Sequence, residues 1–190
     1  DTNLAALKTD GVMDKRVDYH VDLAAPGGPT ATVTLKYHNT NRTIDWRYTR
    51  YRDYVRVYVP EGSTLLTSQG AMRTDRNLGG GRIVPGTVDV MRDLGKTVFG
   101  AFWSIEPGET RTLAFTYRLP DTVLEQARIN KRYQLLVQKQ PGARVRLTLD
   151  HAFGNKVQAA TPGEEPRFYG DARYQQTQLL EQDQLYDIRF

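Results

Sequence analysis

Between Thr30 and Tyr37 the chain reads Thr-Ala-Thr-Val-Thr-Leu-Lys-Tyr. Ala31, Val33, Leu35 and Tyr37 take every second place, and Thr32, Thr34 and Lys36 fall between them. A β-strand points successive side chains to opposite faces, so this order puts one face on a core and the other in water. The same rhythm recurs outward from it. Val17, Tyr19, Val21 and Leu23 alternate with Asp18, His20 and Asp22. Leu113, Phe115, Tyr117 and Leu119 repeat it, as do Val145, Leu147 and Leu149, and Tyr186, Ile188 and Phe190. Antiparallel sheets with one wet face read this way.

Three stretches are apolar on both faces and are expected as central strands: Tyr54 to Val59, Thr97 to Ile105 and Tyr133 to Gln138. Trp103 within the second is expected in the core. A further strand is expected around Thr87 to Met91. Turn residues separate the strands at Pro26-Gly27-Gly28-Pro29, Pro60-Glu61-Gly62-Ser63, Glu106-Pro107-Gly108-Glu109 and Pro141-Gly142. One short helix is expected over Asp121 to Ile129, with Asp121 as its cap. Residues 157–178 carry Pro162, Gly163, Pro166 and Gly170 and read as a long polar loop. The expectation is an all-β single domain over 1–190. It would be an antiparallel immunoglobulin-like β-sandwich of about nine or ten strands with one short helix.

The totals agree with a globular domain: 190 residues, 39% apolar and 25% charged. The net charge of +4 is mild, and no nucleic-acid partner is expected from it. The chain has no cysteine, so disulfides, thiolate nucleophiles and Cys-ligated zinc are excluded. No apolar run approaches the roughly 20 residues that span a bilayer. The chain opens at Asp1 without a leader and is read as cut from a longer protein, with residues 1–13 leading in from an upstream domain.

Little points to catalysis. The serines are Ser63, Ser68 and Ser104, the histidines His20, His38 and His151, and no serine sits in a Gly-x-Ser-x-Gly elbow. Asp10, Asp14, Asp18 and Asp22 lack the calcium-loop pattern and read as a solvated face. No catalytic residue, metal ligand or cofactor is expected. The patch that stands out is Trp46, Arg47, Tyr48, Arg50 and Arg52. Aromatic rings stack on sugars, and guanidinium groups hold carboxylates and phosphates bidentately. These five are the candidate ligand-binding residues, weighed against a role as cross-strand pairs inside the sheet.

Several motifs occur together and in order. They are Thr2-Asn3-Leu4 with Lys15-Arg16-Val17-Asp18-Tyr19, then Tyr51-Arg52-Asp53-Tyr54-Val55-Arg56-Val57-Tyr58-Val59-Pro60-Glu61-Gly62-Ser63. Gly95-Lys96-Thr97-Val98-Phe99-Gly100, Pro107-Gly108-Glu109-Thr110, Tyr117-Arg118-Leu119-Pro120 and residues 133–142 follow. The series resembles the C-terminal region of an uncharacterised bacterial envelope family, domain-of-unknown-function family 4012, common in candidate-phyla-radiation bacteria. It runs from the start to about Leu149. The resemblance implies an upstream membrane anchor, an extracytoplasmic location on the bacterial cell surface, and no assigned reaction. The expected role is a non-catalytic structural or interaction module. Its partners would be other envelope proteins or cell-wall glycan. A carbohydrate- or polyanion-binding module is the alternative, and a hydrolase the remote one.

Overall fold

The computed structural model describes residues 1–4 and 7–190. Residues 5 and 6 of the expected lead-in lie outside the described residues. The chain is mostly β. In order, its strands are β1 (Met13–Asp22), β2 (Thr30–Asn39), β3 (Tyr51–Pro60), β4 (Thr64–Gln69), β5 (Asp89–Asp93) and β6 (Lys96–Ile105). Then come β7 (Thr110–Arg118), the helix α1 (Asp121–Asn130), β8 (Arg132–Val137), β9 (Val145–Ala152), β10 (Ala159–Thr161), β11 (Arg173–Leu180) and β12 (Gln184–Arg189).

One sheet has six strands in the order β11-β9-β1-β2-β7-β4. Two sheets have three strands each, β3-β6-β5 and β10-β12-β8. The alternating side chains of the large sheet turn their apolar members to one face, and both small sheets pack there. Tyr37 meets Trp103 at 5.0 Å between ring centroids, and Phe99 lies 5.4 Å from Tyr117, joining β3-β6-β5 to the large sheet. Tyr133 meets His151 at 5.4 Å and Tyr174 meets Tyr186 at 6.3 Å, joining β10-β12-β8 to it. Trp103, Phe99, Phe115, Tyr174 and Tyr186 are fully buried in this seam.

Several sequence expectations need correction. The large sheet is mixed: β1 pairs antiparallel with β2 but parallel with β9, from Lys15↔Val145 to Asp22↔Ala152. A two-residue rhythm is blind to strand direction, so the alternation in β1 and β9 carries no information on it. Twelve strands form among the described residues, not nine or ten. The unexpected ones, β4, β10 and β11, are polar edge strands with few buried side chains. β10 and much of β11 occupy the stretch expected as a loop; β11 pairs with β9 from Arg173↔Ala152 to Leu180↔Val145. β3 and β8 are sheet edges, not central strands. The outward tyrosines of β3 are explained by bonds across the sheet: Tyr54 and Tyr58 donate to Asp89 at 2.5 Å and Asp93 at 2.9 Å on β5. Tyr54 crosses over Gly100, where a Cβ would stand 2.3 Å from its hydroxyl. The helix forms as expected, but Asp121 is its first residue. Pro120 takes the cap position without a side-chain bond, and Lys131 closes the far end at φ 48°.

His151 lies wholly buried on β9, and neither ring nitrogen has a hydrogen-bond partner among the described residues. Its ring sits edge-on to Tyr19 at 5.4 Å and to Tyr133 at the same distance. Burial in this apolar cage pushes its pKa down to about 3, with Asp150 opposing the shift and His20 adding to it. The unfolded chain takes up a proton near pH 6.5 that the folded chain refuses until far lower pH. Stability is therefore fully present above pH 6.5 and is lost as pH falls towards 3, by about 2 kcal/mol at pH 5. His151→Phe keeps a ring and removes the titration. We expect its melting temperature to fall less than that of the parent between pH 7 and pH 5, by roughly 4–8 °C. Equal falls in thermal melts at the two pH values would show that His151 is not held neutral.

Candidate functional site

Residues 40–50 link β2 to β3 and carry most of the expected patch. Asp45 shapes the loop: its carboxylate accepts the backbone N–H of Arg47 at 2.8 Å and of Tyr48 at 2.7 Å, and its own N–H donates to the Tyr48 carbonyl at 2.9 Å. Such side-chain-to-backbone bonds are the usual chemistry of an Asp turn. The bond from Tyr48, then that from Arg47, holds the Asp45 carboxyl below its ordinary range. The base of the loop is tied to the 3-10 turn at Lys8–Val12, through Lys8 N–H to the Arg47 carbonyl at 3.2 Å and Thr49 N–H to the Thr9 hydroxyl at 3.1 Å.

On this frame Trp46 is 80% exposed. The Arg47 guanidinium lies 4.8 Å from the Trp46 ring centroid and 5.9 Å from that of Tyr48. Ile44 of the same loop is exposed as well. Trp46, Arg47 and Tyr48 are thus brought together as one platform, pre-shaped by Asp45. Arg50 and Arg52 are not part of it. Arg50 Nε spans the Glu106 carboxylate at 3.1 and 3.2 Å, and its Nη2 donates to Asn77 Oδ1 at 3.1 Å. Arg52 Nε donates to the nearly buried Asp75 at 2.5 Å. Although partial burial opposes it, Asp75 is held below the usual carboxylate range by the Leu78 N–H and by Arg52. With Arg76 on Glu109 at 2.5 Å, these pairs pin residues 70–88 and the β6–β7 hairpin to β3.

Other ionisable groups meet elsewhere. On the outer face of the large sheet His20 Nδ1 stands 3.3 Å from Asp150, to which Arg173 donates from Nε at 3.0 Å and from Nη2 at 2.6 Å. Ser63 donates to the Pro60 carbonyl at 2.7 Å in the turn after β3. Among the described residues, no group of three His, Asp or Glu side chains could hold a metal ion.

A group of perturbed side chains around Lys15 and Asp53 forms an interior cluster that the sequence analysis did not single out. Lys15 is 2% exposed; its ammonium donates to Asp10 at 2.6 Å, Asp1 at 3.1 Å and Tyr51 at 2.9 Å, and faces the rings of Tyr37 and Tyr51. Asp53 is fully buried on β3 and accepts Trp103 Nε1–H at 3.0 Å and Thr2 N–H at 2.8 Å. Burial drives the Asp53 carboxyl up, against the bond from Trp103 and the nearby cations. Burial also drives the Tyr37 and Tyr51 hydroxyls up. Perturbed groups often mark active sites. Here the polar groups are bonded to one another, and the cluster ties Asp1, Thr2 and Asp10 to both layers. The one available signal was an acid at an inward position of β3, between Tyr51 and Val55.

Comparison with known proteins adds the following. No family model matches the chain, and no curated protein matches it. Among solved structures, an M1 zinc metallopeptidase from Deinococcus radiodurans is similar at a TM-score of 0.42 and 11% identity, over 93% of this chain and 42% of that one. A mutant of that M1 enzyme bound to a Tyr-Ser-Ala substrate is similar at 0.37 and 12%, with the same coverage. The chain therefore spans under half the length of these enzymes, and a likeness at this score carries no conclusion about chemistry.

Asp53→Ala leaves Trp103 Nε1–H without its acceptor beside a buried ammonium. We expect a loss of about 3–5 kcal/mol in chemical denaturation, and less for Asp53→Asn, which keeps an acceptor oxygen. A loss under about 1 kcal/mol, within the range of a neutral surface change, would remove the cluster from its structural role.

Proposed function

We propose that this chain is a non-catalytic structural and interaction module of a larger, membrane-anchored bacterial surface protein, and that it docks through the Trp46-Arg47-Tyr48 platform. The observation that carries the reading is the exposed Trp46 indole with a guanidinium stacked on it, on a loop already shaped by Asp45. Trp, Tyr and Arg dominate binding energy at protein interfaces, and a pre-shaped loop loses little freedom on docking. Two apolar-faced layers seamed by aromatic contacts support an immunoglobulin-like sandwich as the scaffold. The ordered motif series from Thr2 to Leu149 supports an extracytoplasmic location, with membrane attachment only through an upstream anchor. The partner of first choice is another envelope protein.

A second reading is favoured by the same ring pair. A flat indole with a guanidinium stacked on it suits a sugar ring bearing an acidic group, so an acidic cell-wall glycan is the alternative ligand.

A photo-crosslinker placed at position 46 on the bacterial surface is expected to capture one envelope protein that is not captured from position 125 on the exposed face of α1. No adduct, or the same adducts from both positions, would contradict docking by the loop. Purified acidic wall glycan distinguishes the alternative: Trp46→Ala and Arg47→Ala would each weaken co-sedimentation about tenfold. Unchanged binding in both would dismiss the glycan reading.

A further inference from the structure

A concavity of about 1030 Å³ lies between the two small sheets. Its floor is the inner face of β1 and β2, including Val17, Tyr19 and Leu35; its walls are β3 and β8, each the open edge of its sheet. Val17 and Tyr19 face inward yet remain partly exposed, while their neighbours Leu35 and Leu149 are buried. The second layer therefore covers the large sheet at both ends and leaves a gap over β1.

The backbone of both walls points into that gap. Thr2 and Tyr54 exchange two hydrogen bonds of 3.2 Å, and Leu4 N–H donates to the Arg52 carbonyl at 2.8 Å. Even-numbered residues of β3 thus turn N–H and C=O away from β6, as alternation in an antiparallel ladder requires. Arg56 and Tyr58 continue the same parity, with no backbone partner among the described residues. On β8, Phe190 N–H donates to the Lys131 carbonyl at 3.2 Å, so odd-numbered residues face β12 and Arg132, Gln134 and Leu136 face the gap. Residues 2–4 already ride the lower part of the β3 edge, antiparallel to it, with Asn3 opposite Asp53. They show what this edge accepts.

We propose that the cleft is a strand-accepting site, and that its occupant is an extended peptide strand of a partner protein, bound antiparallel to β3 and closing the second layer. Strand addition to an open edge supplies main-chain bonds, and the floor below selects alternate side chains. The floor asks for apolar side chains on the inward face. The rim asks for acidic ones outward, because Arg56 and Lys96 flank the cleft and neither has an ion-pair partner among the described residues. This deepens the reading of the chain as an interaction module, on a surface separate from the Trp46 loop.

The test uses a labelled ten-residue peptide alternating Glu and Val with blocked ends, and a control of the same composition with its valines consecutive. Fluorescence anisotropy is expected to show saturable binding of the alternating peptide and binding about tenfold weaker for the control. Tyr58→Pro removes an N–H that points into the cleft and none that pairs with β6. It is expected to bind about tenfold more weakly than Tyr58→Ala, which loses the same phenol but keeps the N–H. If Tyr58→Pro fails to fold, Leu136→Pro against Leu136→Ala makes the same comparison on β8. Equal binding of the two peptides, or equal binding by the proline and alanine variants, overturns the proposal. So does sedimentation showing a dimer that the peptide cannot displace, since a second copy then fills the cleft. Crosslinking from position 46 reads the other surface, so a failure there and a failure here are told apart.

Discussion

The inner face of the six-stranded sheet must be kept from water, and the arrangement of the rest of the chain answers to that requirement. Its strands β1, β2, β7 and β9 turn Val21, Leu35, Phe115 and Leu149 to one side, all nearly or wholly buried. Each such side chain is worth about 1.5–3 kcal/mol when removed from water. No single second sheet spans the width. Two small sheets do it in parts, one seamed by Phe99 and Trp103 and the other by Tyr133 and Tyr186. The division is what leaves β3 and β8 as facing edges above Val17 and Tyr19.

Charge is distributed in accordance with this layering. Where a carboxylate or ammonium lies inside, it is matched: Lys15 by Asp1, Asp10 and Tyr51, and Asp53 by Trp103 and Thr2. At the rim several arginines are tied to acids, as Arg50 to Glu106 and Arg52 to Asp75. Removing one member of an interior pair leaves a buried charge without compensation, so these groups keep the N-terminal segment and residues 70–88 in place. His151 departs from the rule, since its ring is buried with no hydrogen-bond partner among the described residues, and burial holds it neutral. Trp46 differs from these interior groups: it faces solvent, with the Arg47 side chain stacked on its ring and reaching that of Tyr48.

The strands that were legible in the sequence are those with one wet and one dry face. β2 and β7 announced themselves through Val33, Leu35, Phe115 and Tyr117. β11 did not, because Gln176 and Gln178 stand at its inward positions, with Gln178 donating to the Tyr186 hydroxyl. The parallel pairing of β1 with β9 was hidden, since side-chain rhythm is the same for either direction. The outward tyrosines of β3 resembled those of a strand covered on both sides, whereas Tyr54 and Tyr58 bond to acids on β5. At the candidate site, composition selected five residues and geometry divides them. Nothing in the spacing of Arg47, Arg50 and Arg52 shows which guanidinium will find Glu106 or Asp75, because those acids come from distant turns. The cleft could not be read at all, as it belongs to an edge of one sheet meeting an edge of another.

The account turns on the second layer being interrupted between β3 and β8. Residue-resolved amide hydrogen exchange on the free chain at neutral pH measures this directly. Interruption predicts rapid exchange at Arg56, Tyr58, Gln134 and Leu136, beside slow exchange at Val57 and Leu135, whose amides pair within their own sheets. Uniformly slow exchange along β3 and β8 would mean a continuous layer, and would contradict the account.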